Sequence, residues 1–373
     1  METELRNPAP NQMRVDEKPM VSIVLATYNE AKAIEGCLDS LLGQQTQSPT
    51  VGDFEIEVLA VDGMSTDGTR QILEGYAARD PRLRIVDNPH RRAPFAFNLG
   101  LRHARGSYVC IFGAHTFYSN DYVAVCLGEM LAHNAAACGG RVKTMPANGS
   151  LSARLVSWAM SHPFGSSRKS FRTQCEGPVD TVNYAVFRRD LALAAGGYDE
   201  DLLRNQDNDL NQKLRAGGLV LWCTWKTQCI YFPKDTVTGL FRYAYGNGYW
   251  NVISLAKNPA AMAARHFIPF VFVVCLALAA LVGAAGVLTS VAGAWMAMTP
   301  LLLLLTLHLS LGLAAAVQTA FSERSPGALW LPLVFFGFHV SYGFGTLGGF
   351  LSQPLSAWLP RQRPRRGSVP LGE

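Results

Sequence analysis

The stretch that decides the fold is an apolar run that stops at a small-residue turn: YVCIF followed by GAHT, residues 108–116. Apolar residues that run together in this way are typical of a strand buried on both faces of a parallel sheet. The turn after the run carries His115, whose imidazole can ligate a metal ion. The pattern therefore predicts a buried strand that delivers a site to its C-terminal end.

Similar strand and helix signals precede this strand in regular alternation. The apolar runs lie at residues 21–26, 57–61 and 83–86, and segments with helical character follow at 34–42, 72–76 and 93–104. The series is βαβαβαβ, which predicts an α/β fold with a Rossmann-like, mostly parallel sheet flanked by helices. Such sheets bind ligands at the carboxyl ends of their strands. The loops expected to form the site are 27–30, 62–68, 87–92 and 113–117.

Polar residues fill these loops in a pattern that suits a nucleotide. Thr27, Tyr28 and Glu30 place an aromatic face beside polar groups that can bond the edge of a base. The second loop, DGMSTDGT at residues 62–69, adds carboxylates for a base or ribose and glycines that let the backbone approach closely. No Gly-x-Gly-x-x-Gly and no Gly-Lys-Ser/Thr occurs, which argues against a dinucleotide-binding fold and a P-loop. Asp67 taken alone has an equally good interpretation as turn and cap chemistry.

At these loops the sequence resembles a known family. VSIVLATYNE at 21–30, VDGMSTDGT at 61–69, Asn88-Pro89 and Asn98-Leu99-Gly100 resemble the GT-A glycosyltransferases of family 2. More narrowly, the chain looks like the membrane-attached glucosyltransferases of succinoglycan-type exopolysaccharide synthesis, over roughly residues 21–218. The resemblance implies a nucleotide-sugar donor, usually UDP-linked, and an inverting transfer. It also implies donor contacts from these residues: Thr27, Tyr28, Glu30, Asp62, Asp67, Asn98, Gly113 and Ala114.

The resemblance further implies a metal site at the end of the fourth strand. In the family this strand ends in Asp-x-Asp, or in this subgroup Asp-Ala-His, whose last member helps to hold Mg²⁺ or Mn²⁺ on the donor diphosphate. Here the residues are Gly113, Ala114 and His115, so the first carboxylate is missing. An imidazole suits Mn²⁺ better than Mg²⁺, which prefers oxygen ligands, and the diphosphate itself supplies oxygens. His115 is the predicted metal ligand, and the alternative is a polar loop histidine without a ligand.

The second half of the chain is expected to supply the acceptor side. DTVNYAVFRR at residues 180–189 predicts a strand followed by the start of a helix. RNQDNDLNQKL at 204–214 resembles the Glu-Asp motif of the family, with Gln206 in place of the glutamate. The resemblance implies that Asp207 is the general base, which takes the proton of the attacking sugar hydroxyl. Two alternatives are an N-cap role for Asp207 and an exchange of roles with Asp209.

Composition and charge indicate a membrane rather than nucleic acid. Hydrophobic residues make up 49% and charged residues 16% of the 373 positions, and the net charge is only +5. No basic motif interleaved with aromatic residues occurs, so we expect no nucleic-acid partner. The basic stretch at 168–172 could steer a lipid-linked pyrophosphate acceptor or be a solvated loop. The eight cysteines are scattered without a Cys-x-x-Cys pair, which predicts reduced core residues rather than a zinc site or disulfides.

Two long segments without charged residues, 267–322 and 325–360, predict a C-terminal membrane region. Within them the expected spans are 267–289, 295–321 and 329–351. Residues 237–266 mix aromatic and basic types, which is typical of interfacial amphipathic helices at head-group level. The predicted domains are a flexible N-terminus at 1–20, a cytoplasmic GT-A domain at 21–236, interfacial helices at 237–266, a transmembrane region of about three spans at 267–352, and a basic tail at 353–373.

The membrane topology stays open at this point. Three spans from a cytoplasmic domain would place the arginine-rich tail outside, against the positive-inside tendency. Either the tendency fails here, or the glycine-rich third segment is re-entrant, or the segment containing Pro300 is irregular. The first twenty residues contain no secretion signal, so we expect the catalytic domain to stay in the cytoplasm, attached to the bacterial inner membrane.

These patterns predict an inverting, membrane-anchored hexosyltransferase. Its expected donor is a nucleotide sugar, and its expected acceptor is a polyprenyl-diphosphate-linked saccharide of polysaccharide or envelope synthesis. A close alternative is a polyprenyl-phosphate sugar synthase, whose phosphate acceptor needs no strong base. A rival from another class is a non-catalytic GT-A scaffold in a polysaccharide complex, which Gly113 and Gln206 motivate.

Overall fold

The structure, a computed structural model, describes residues 18–114, 116–289 and 291–354. Three predictions therefore fall wholly or mainly outside the described residues: the metal ligand His115, the flexible N-terminus at 1–20 and the basic tail at 353–373.

The centre of the molecule is a large mixed sheet. Its strands lie in the order β5-β4-β1-β6-β10-β8-β11-β7, and β9 pairs with β11. Neighbours β5, β4, β1 and β6 are parallel, whereas β10 is antiparallel to both β6 and β8. Strands β2 and β3 form a separate two-stranded sheet. The strands of both sheets are β1 (Met20–Thr27), β2 (Gln47–Ser48), β3 (Gly52–Asp53), β4 (Glu55–Asp62), β5 (Leu83–Asp87), β6 (Tyr108–Gly113), β7 (Thr116–Tyr118), β8 (Ala137–Thr144), β9 (Gly177–Pro178), β10 (Val186–Arg188) and β11 (Leu221–Tyr231).

Helices cover the sheet and continue into the C-terminal region. They are α1 (Ile34–Leu42), α2 (Thr69–Ala77), α3 (Ala93–His103), α4 (Tyr122–Ala132), α5 (Leu151–Ser161), α6 (Pro163–Ser166), α7 (Arg189–Ala194), α8 (Gln206–Ala216), α9 (Val237–Lys257), α10 (Ile268–Thr289), α11 (Val291–Ser322) and α12 (Leu331–Ser352). Three short 3₁₀ turns lie at Pro259–Ala261, Ala264–Phe267 and Pro326–Trp330.

Helices cover both faces of the sheet, and the side chains on both faces of its central strands are apolar. Ile23 and Leu25 pack into the cluster that contains α1 and α4, whereas Val24 packs into the opposite cluster with α3 and α8. Gly100 of α3 is needed for this second contact, since a Cβ there would lie 2.2 Å from the side chain of Val24. The continuous apolar runs of the sequence are therefore explained by helices on both sides.

The strand register aligns the loops that follow the parallel strands. Thr27, Asp62 and Asp87 are direct neighbours across β1, β4 and β5. On the other side of β1, Ala26 pairs with Gly113 of β6. The predicted βαβαβαβ series and mostly parallel sheet are confirmed, and the loops lie together at one edge.

Two local predictions need correction. The strand expected within 180–189 is only the three residues of β10, because antiparallel pairing to β6 and β8 begins at Val186. The expected set of interfacial helices is one long helix, α9, which ends at Lys257, has Asn258 as its C-cap before Pro259, and is followed by two 3₁₀ turns. A proline removes the N–H that would continue the helix and disfavours helical backbone at the preceding residue.

Three helical segments are long and apolar enough to cross a membrane: Ala264–Thr289, Trp295–Ser322 and Pro326–Ser352. Their bounds agree closely with the expected spans. Helix α11 continues through Pro300, and the hydroxyl of Thr299 donates a hydrogen bond to the carbonyl of Trp295 one turn earlier. The alternative of an irregular segment at Pro300 is therefore wrong.

Candidate active site

Hydrogen bonds join the first two loops of the sheet edge into one rigid unit. The backbone N–H of Asn29 donates to the Ser65 hydroxyl at 3.0 Å, and the N–H of Thr66 donates to Asn29 Oδ1 at 2.9 Å. Asn29 has a φ of +57°, a left-handed conformation that asparagine tolerates better than most residues. The N–H of Glu30 donates to the Thr69 hydroxyl at 2.7 Å. Both loops are thus held in one conformation.

The two carboxylates of the second loop differ in their surroundings. Asp62 is buried and accepts a hydrogen bond from the Ser65 hydroxyl at 2.6 Å. Asp67 accepts from the Thr69 hydroxyl at 2.6 Å and from the N–H of Ala31 at 3.1 Å. These bonds, first the one from Thr69, lower the pKa of Asp67. The structure gives Asp67 the turn and loop-joining contacts of its alternative interpretation, and its donor contact stays a prediction.

Tyr28 offers the aromatic surface of this edge. Its side chain is 45% exposed, and a Cβ at position 63 would lie only 3.0 Å from its ring, so Gly63 lets the ring lie against the second loop. Thr27 beside it is buried, with its hydroxyl directed at the Val61 carbonyl at 3.4 Å. An exposed ring held over a rigid loop can stack on a planar base.

Asp207 lies in the first turn of α8. The Asn183 side-chain amide donates a hydrogen bond to Asp207 Oδ2 at 2.8 Å. Burial raises the pKa of the Asp207 carboxyl to about 6. The residue preceding the helix is Asn205, in the left-handed region with a φ of +63°, so the N-cap alternative for Asp207 is wrong.

Asp209 has a different environment two residues later. It is buried and forms an ion pair with Lys213, with 2.7 Å between Oδ2 and Nζ. The side-chain amide of Asn258 also donates to it at 2.7 Å. Asp209 thus has partners on both oxygens, whereas Asp207 lines a cavity.

That cavity has a volume of about 830 Å³ and lies between the sheet domain and the C-terminal helices. One end is polar and basic, with Arg172, Arg204 and Asp207 in its wall. The other end is apolar and is formed by α10, α11 and α12, including Phe272 and Phe338. The cavity therefore joins a carboxylate of raised pKa to the membrane region.

Comparisons with known proteins identify the sheet domain. Residues 22–193 match the model of the family described as Glycosyl transferase family 2. The succinoglycan biosynthesis protein ExoA of Rhizobium meliloti (strain 1021) is 30% identical over 281 residues, which are 74% of this chain and 80% of that protein. The chain belongs to glycosyl transferase family 2.

A second curated protein and a solved structure are also similar to this glycosyltransferase. A dolichyl N-acetyl-α-D-glucosaminyl phosphate 3-β-D-2,3-diacetamido-2,3-dideoxy-β-D-glucuronosyltransferase of Methanococcus voltae is 24% identical over 345 residues, 87% of this chain and 95% of that protein. The mannosyltransferase PcManGT of Pyrobaculum calidifontis, solved with GDP-Man and Mn²⁺, superposes with a TM-score of 0.52 at 20% identity and covers 88% of both chains. The predicted GT-A fold is confirmed, and the protein is a family 2 glycosyltransferase of polysaccharide biosynthesis.

One predicted donor residue of the glycosyltransferase, Asn98, already has hydrogen-bond partners within the protein. Asn98 is buried in α3, where its amide donates to the Tyr198 carbonyl and to Glu200, each at 2.9 Å. Its oxygen accepts from the N–H of Tyr198 at 2.9 Å. These bonds tie α3 to the loop before α8. A contact of Asn98 with the donor stays a prediction.

Beside His115, the described residues of the predicted metal position, Gly113 and Ala114, have no metal-ligating side chain. Gly113 uses its N–H to donate to the Tyr118 hydroxyl at 3.1 Å, and Ala114 is buried without a ligating group. Within the described residues, no three His, Cys, Asp or Glu side chains form a group that could hold a metal ion. His115 lies outside the described residues, so its predicted ligation stays a prediction.

Four further residues of the cavity wall were not predicted from the sequence: Asn183, Arg204, Tyr243 and Asn247. Asn183 orients Asp207, as given above. Arg204 donates from Nη1 to Asn247 Oδ1 at 2.7 Å and stacks over Tyr243, with 5.2 Å from guanidinium to ring centroid. The only signal in the sequence is the position of Arg204 three residues before Asp207, because Tyr243 and Asn247 arrive from α9.

Proposed function

We propose that the protein is an inverting hexosyltransferase that moves a hexose from a UDP-linked donor to a hydroxyl of a polyprenyl-diphosphate-linked saccharide. The observation that carries this proposal is the cavity, whose wall brings together Asp207, basic side chains and apolar side chains of the C-terminal helices. An acceptor with a sugar, a diphosphate and a hydrocarbon chain offers a matching group to each part of this wall: a hydroxyl to Asp207, phosphates to the basic side chains and a hydrocarbon to the apolar ones.

In this mechanism Asp207 removes the proton of the acceptor hydroxyl as its oxygen attacks the anomeric carbon. The attack comes from the face opposite the nucleotide diphosphate, which leaves with the bonding electrons. With a pKa of about 6, the carboxyl is ionised at neutral pH and still basic enough to accept a proton. The hydrogen bond from Asn183 fixes the direction of Oδ2.

The donor side of the proposal uses the rigid edge of the sheet. We assign Tyr28 to base stacking and Thr27, Glu30 and Asp62 to polar contacts with the nucleoside. Gly113 and Ala114 bring backbone close to the diphosphate. Asp67 and Asn98 hold the loops in place, and any donor contact they make is additional.

A divalent cation is part of the proposal only through His115. The imidazole would share Mg²⁺ or Mn²⁺ with oxygens of the donor diphosphate, and the ion would balance the charge of the leaving group. Among the described residues no three His, Cys, Asp or Glu side chains form a metal site, so the proton transfer to Asp207 is assigned without the ion.

The acceptor class is supported by charge and by a relative. Arg168, Lys169, Arg172 and Arg204 line the polar end, and guanidinium groups match phosphate oxygens well. The name of the Methanococcus voltae relative describes transfer to a saccharide on dolichyl phosphate. A free polyprenyl phosphate as acceptor is less well supported, since it needs no base and a carboxylate such as Asp207 would repel it.

The test is turnover of radiolabelled UDP-sugars by membranes that contain the full chain, with polyprenyl-diphosphate saccharide and polyprenyl phosphate as parallel acceptors. We expect product only with the saccharide, and a loss of at least about 100-fold in Asp207→Asn. Asp53→Asn, at an exposed position of β3, is the control.

Three outcomes would contradict parts of the proposal. Product with polyprenyl phosphate would identify the other acceptor. Normal polysaccharide production by Asp207→Asn, combined with its loss on deletion of the chain, would favour a non-catalytic scaffold. Turnover that is unchanged by EDTA and by His115→Ala would show that no metal ion held by His115 takes part in the reaction.

A further inference from the structure

We propose that only α10 and α11 cross the bilayer, and that α12 lies along the membrane surface on the side of the catalytic domain. Length and composition alone qualify all three helices as spans. The contacts of α12 distinguish it from the other two. This inference is independent of the sugar chemistry proposed above.

Helix α12 packs side by side with α9 over most of its length. Near its start, Gly337 lies against the ring of Phe241. In its second half, a Cβ at Gly345 would lie 2.0 Å from the Tyr245 carbonyl, and one at Gly349 would lie 2.8 Å from Val252. The glycine-rich face of α12 therefore faces α9, and the two helices run in the same direction.

Helix α9 in turn is fastened along its length to the soluble domain. Polar contacts occur near its start, in its middle and at its end, so α9 follows the surface of that domain rather than leaving it. They are Val237 N–H to Ser152 Oγ at 3.1 Å, Arg204 to Asn247 at 2.7 Å, Asn205 to Asn251 at 2.8 Å, and Lys257 to Asp199 at 2.9 Å.

Both ends of α12 consequently lie beside the catalytic domain. At the N-terminal end, Leu331 and Phe335 belong to the apolar cluster that contains Leu155 and Trp158 of α5. At the C-terminal end, the Phe350 ring lies 6.4 Å from that of Phe267, in the 3₁₀ turn that precedes α10.

The turn beneath Phe350 is itself held by the soluble domain. Arg265 of this turn forms an ion pair with Asp180 at 3.5 Å. A helix of 22 residues is about 33 Å long, close to the roughly 30 Å of a hydrocarbon core. If α12 crossed, one of its ends would lie on the far side of the membrane, away from these contacts.

Helices α10 and α11 have the geometry of a hairpin that leaves the domain and returns. Gly283 in the second half of α10 lies against Met298 near the start of α11. Around the far end the side chains are open, with Leu288 85% and Trp295 77% exposed. Near the end of α11, Gln318 is again close to the domain, 3.4 Å from His162 of the α5–α6 junction. Two crossings account for this path.

The outward face of α12 suits one leaflet of the bilayer. Leu333, Phe344 and Leu351 are 58%, 51% and 80% exposed, and their spacing of 11 and 7 residues places them on one side of the helix. Trp330, at its start, is 58% exposed, and tryptophan favours the interface. A helix with one apolar face and one face against protein binds in the plane of the membrane.

This arrangement removes the conflict with the positive-inside tendency. With two crossings, the chain after Ser352 begins on the side of the catalytic domain. Arg361, Arg363, Arg365 and Arg366 follow within that tail. A cytoplasmic catalytic domain and a cytoplasmic arginine-rich tail are then compatible.

The test is side-specific labelling of native Cys175 and of individually introduced cysteines with a membrane-impermeant maleimide, in spheroplasts and in inside-out vesicles. Native Cys175, which is exposed on the soluble domain, marks the catalytic side. Thr289→Cys reports the far end of α10 and Ser352→Cys the end of α12, each in a Cys175→Ser background. Retained glycosyl transfer shows that each variant is folded.

We expect Ser352→Cys to react in the same preparation as Cys175, and Thr289→Cys to react in the other. A C-terminal tag, cleaved by trypsin after the tail arginines, gives a second measurement and decides the matter if the cysteine at 352 reacts with neither or both. Reaction of Ser352→Cys, or cleavage of the tag, on the same side as Thr289→Cys would overturn the proposal. So would reaction of Thr289→Cys together with Cys175.

Discussion

At the scale of single residues, Asp207 is in an environment that favours its protonated form. Burial raises its pKa from the ordinary 3.8 to about 6, which is equivalent to about 3 kcal/mol. Because the folded state holds this proton more tightly than the unfolded state, the contribution of Asp207 to the free energy of unfolding is most favourable below about pH 4 and decreases as the pH rises from 4 through 6. The ionised carboxyl therefore costs stability at neutral pH, where the proposed mechanism uses it as a base.

We expect Asp207→Asn to lose transfer activity and to gain stability. At pH 8 its melting temperature should exceed that of the wild type by several degrees, since the amide needs no charge in the cavity. At pH 5 the gain should fall to about half, because the wild-type carboxyl is then mostly protonated. Scanning fluorimetry of the solubilised full chain measures this, with Asp53→Asn as the unchanged control. An equal or lower melting temperature at pH 8 would show that Asp207 is well solvated.

The residues that sequence could identify are those whose role is local. A motif of the family indicates Asp207 as the candidate base, and the turn contact of Asp67 is predictable because its partner Thr69 is two residues away. The contacts of Asn98 with Tyr198 and Glu200 cross 100 residues or more, so no local pattern reveals that its amide already has partners. Arg204 depends in the same way on α9.

At the scale of elements, the parallel strands were predictable to within one or two residues. The runs at 21–26 and 57–61 correspond to Met20–Thr27 and Glu55–Asp62, because helices on both faces require continuous apolar sequence. The pairing of α9 with α12 was not predictable, since glycines and aromatic residues in two distant segments do not show that they meet. The composition predicts that α12 is a long apolar helix, but only its contacts with α9 show how it lies relative to the soluble domain.

We expect the close approach of α9 and α12 to control the position of the base. In Gly345→Ala the new Cβ would lie 2.0 Å from the Tyr245 carbonyl, so the helices must separate, at a cost of about 1–3 kcal/mol. Asn247 and Asn251 of α9 are hydrogen-bonded to Arg204 and Asn205, which precede Asp207. A movement of α9 would therefore displace the residues next to Asp207. We expect a lower melting temperature and a several-fold lower kcat.

The matched control is Gly75→Ala, in the exposed face of α2, where an added Cβ meets nothing within 4 Å. It should leave kcat unchanged and stabilise slightly, by about 0.5–1 kcal/mol, because alanine favours the helix. A kcat equal to that of the wild type in Gly345→Ala would show that the packing of α9 on α12 does not reach the active site.

At the scale of the whole molecule, the cavity exists only where the sheet domain, α9 and the membrane helices meet. Its basic wall is not neutralised by the protein: no ion pair with a carboxylate involves Arg172 or Arg204 among the described residues. Burial alone would raise the pKa of the Tyr243 phenol, yet the charge of Arg172 and hydrogen bonds from Asn247 and Arg172 lower it. The positive charge of Arg172 thus favours the ionised form of the neighbouring Tyr243 phenol, and the same charge should attract a phosphate.

We therefore expect Arg172→Gln and Arg204→Gln to weaken the acceptor and spare the donor. Loss of one charge-assisted hydrogen bond to phosphate should raise the KM for a polyprenyl-diphosphate saccharide by about 10-fold to 100-fold. The rate of UDP-sugar hydrolysis without acceptor should stay at the wild-type level, because the nucleotide loops lie at the edge of the sheet. The control is Arg154→Gln, which removes one positive charge outside the residues that line the cavity. The Arg154 guanidinium lies 4.8 Å from the centroid of the Trp158 ring. Equal KM values in all three variants would mean that the diphosphate binds away from this wall.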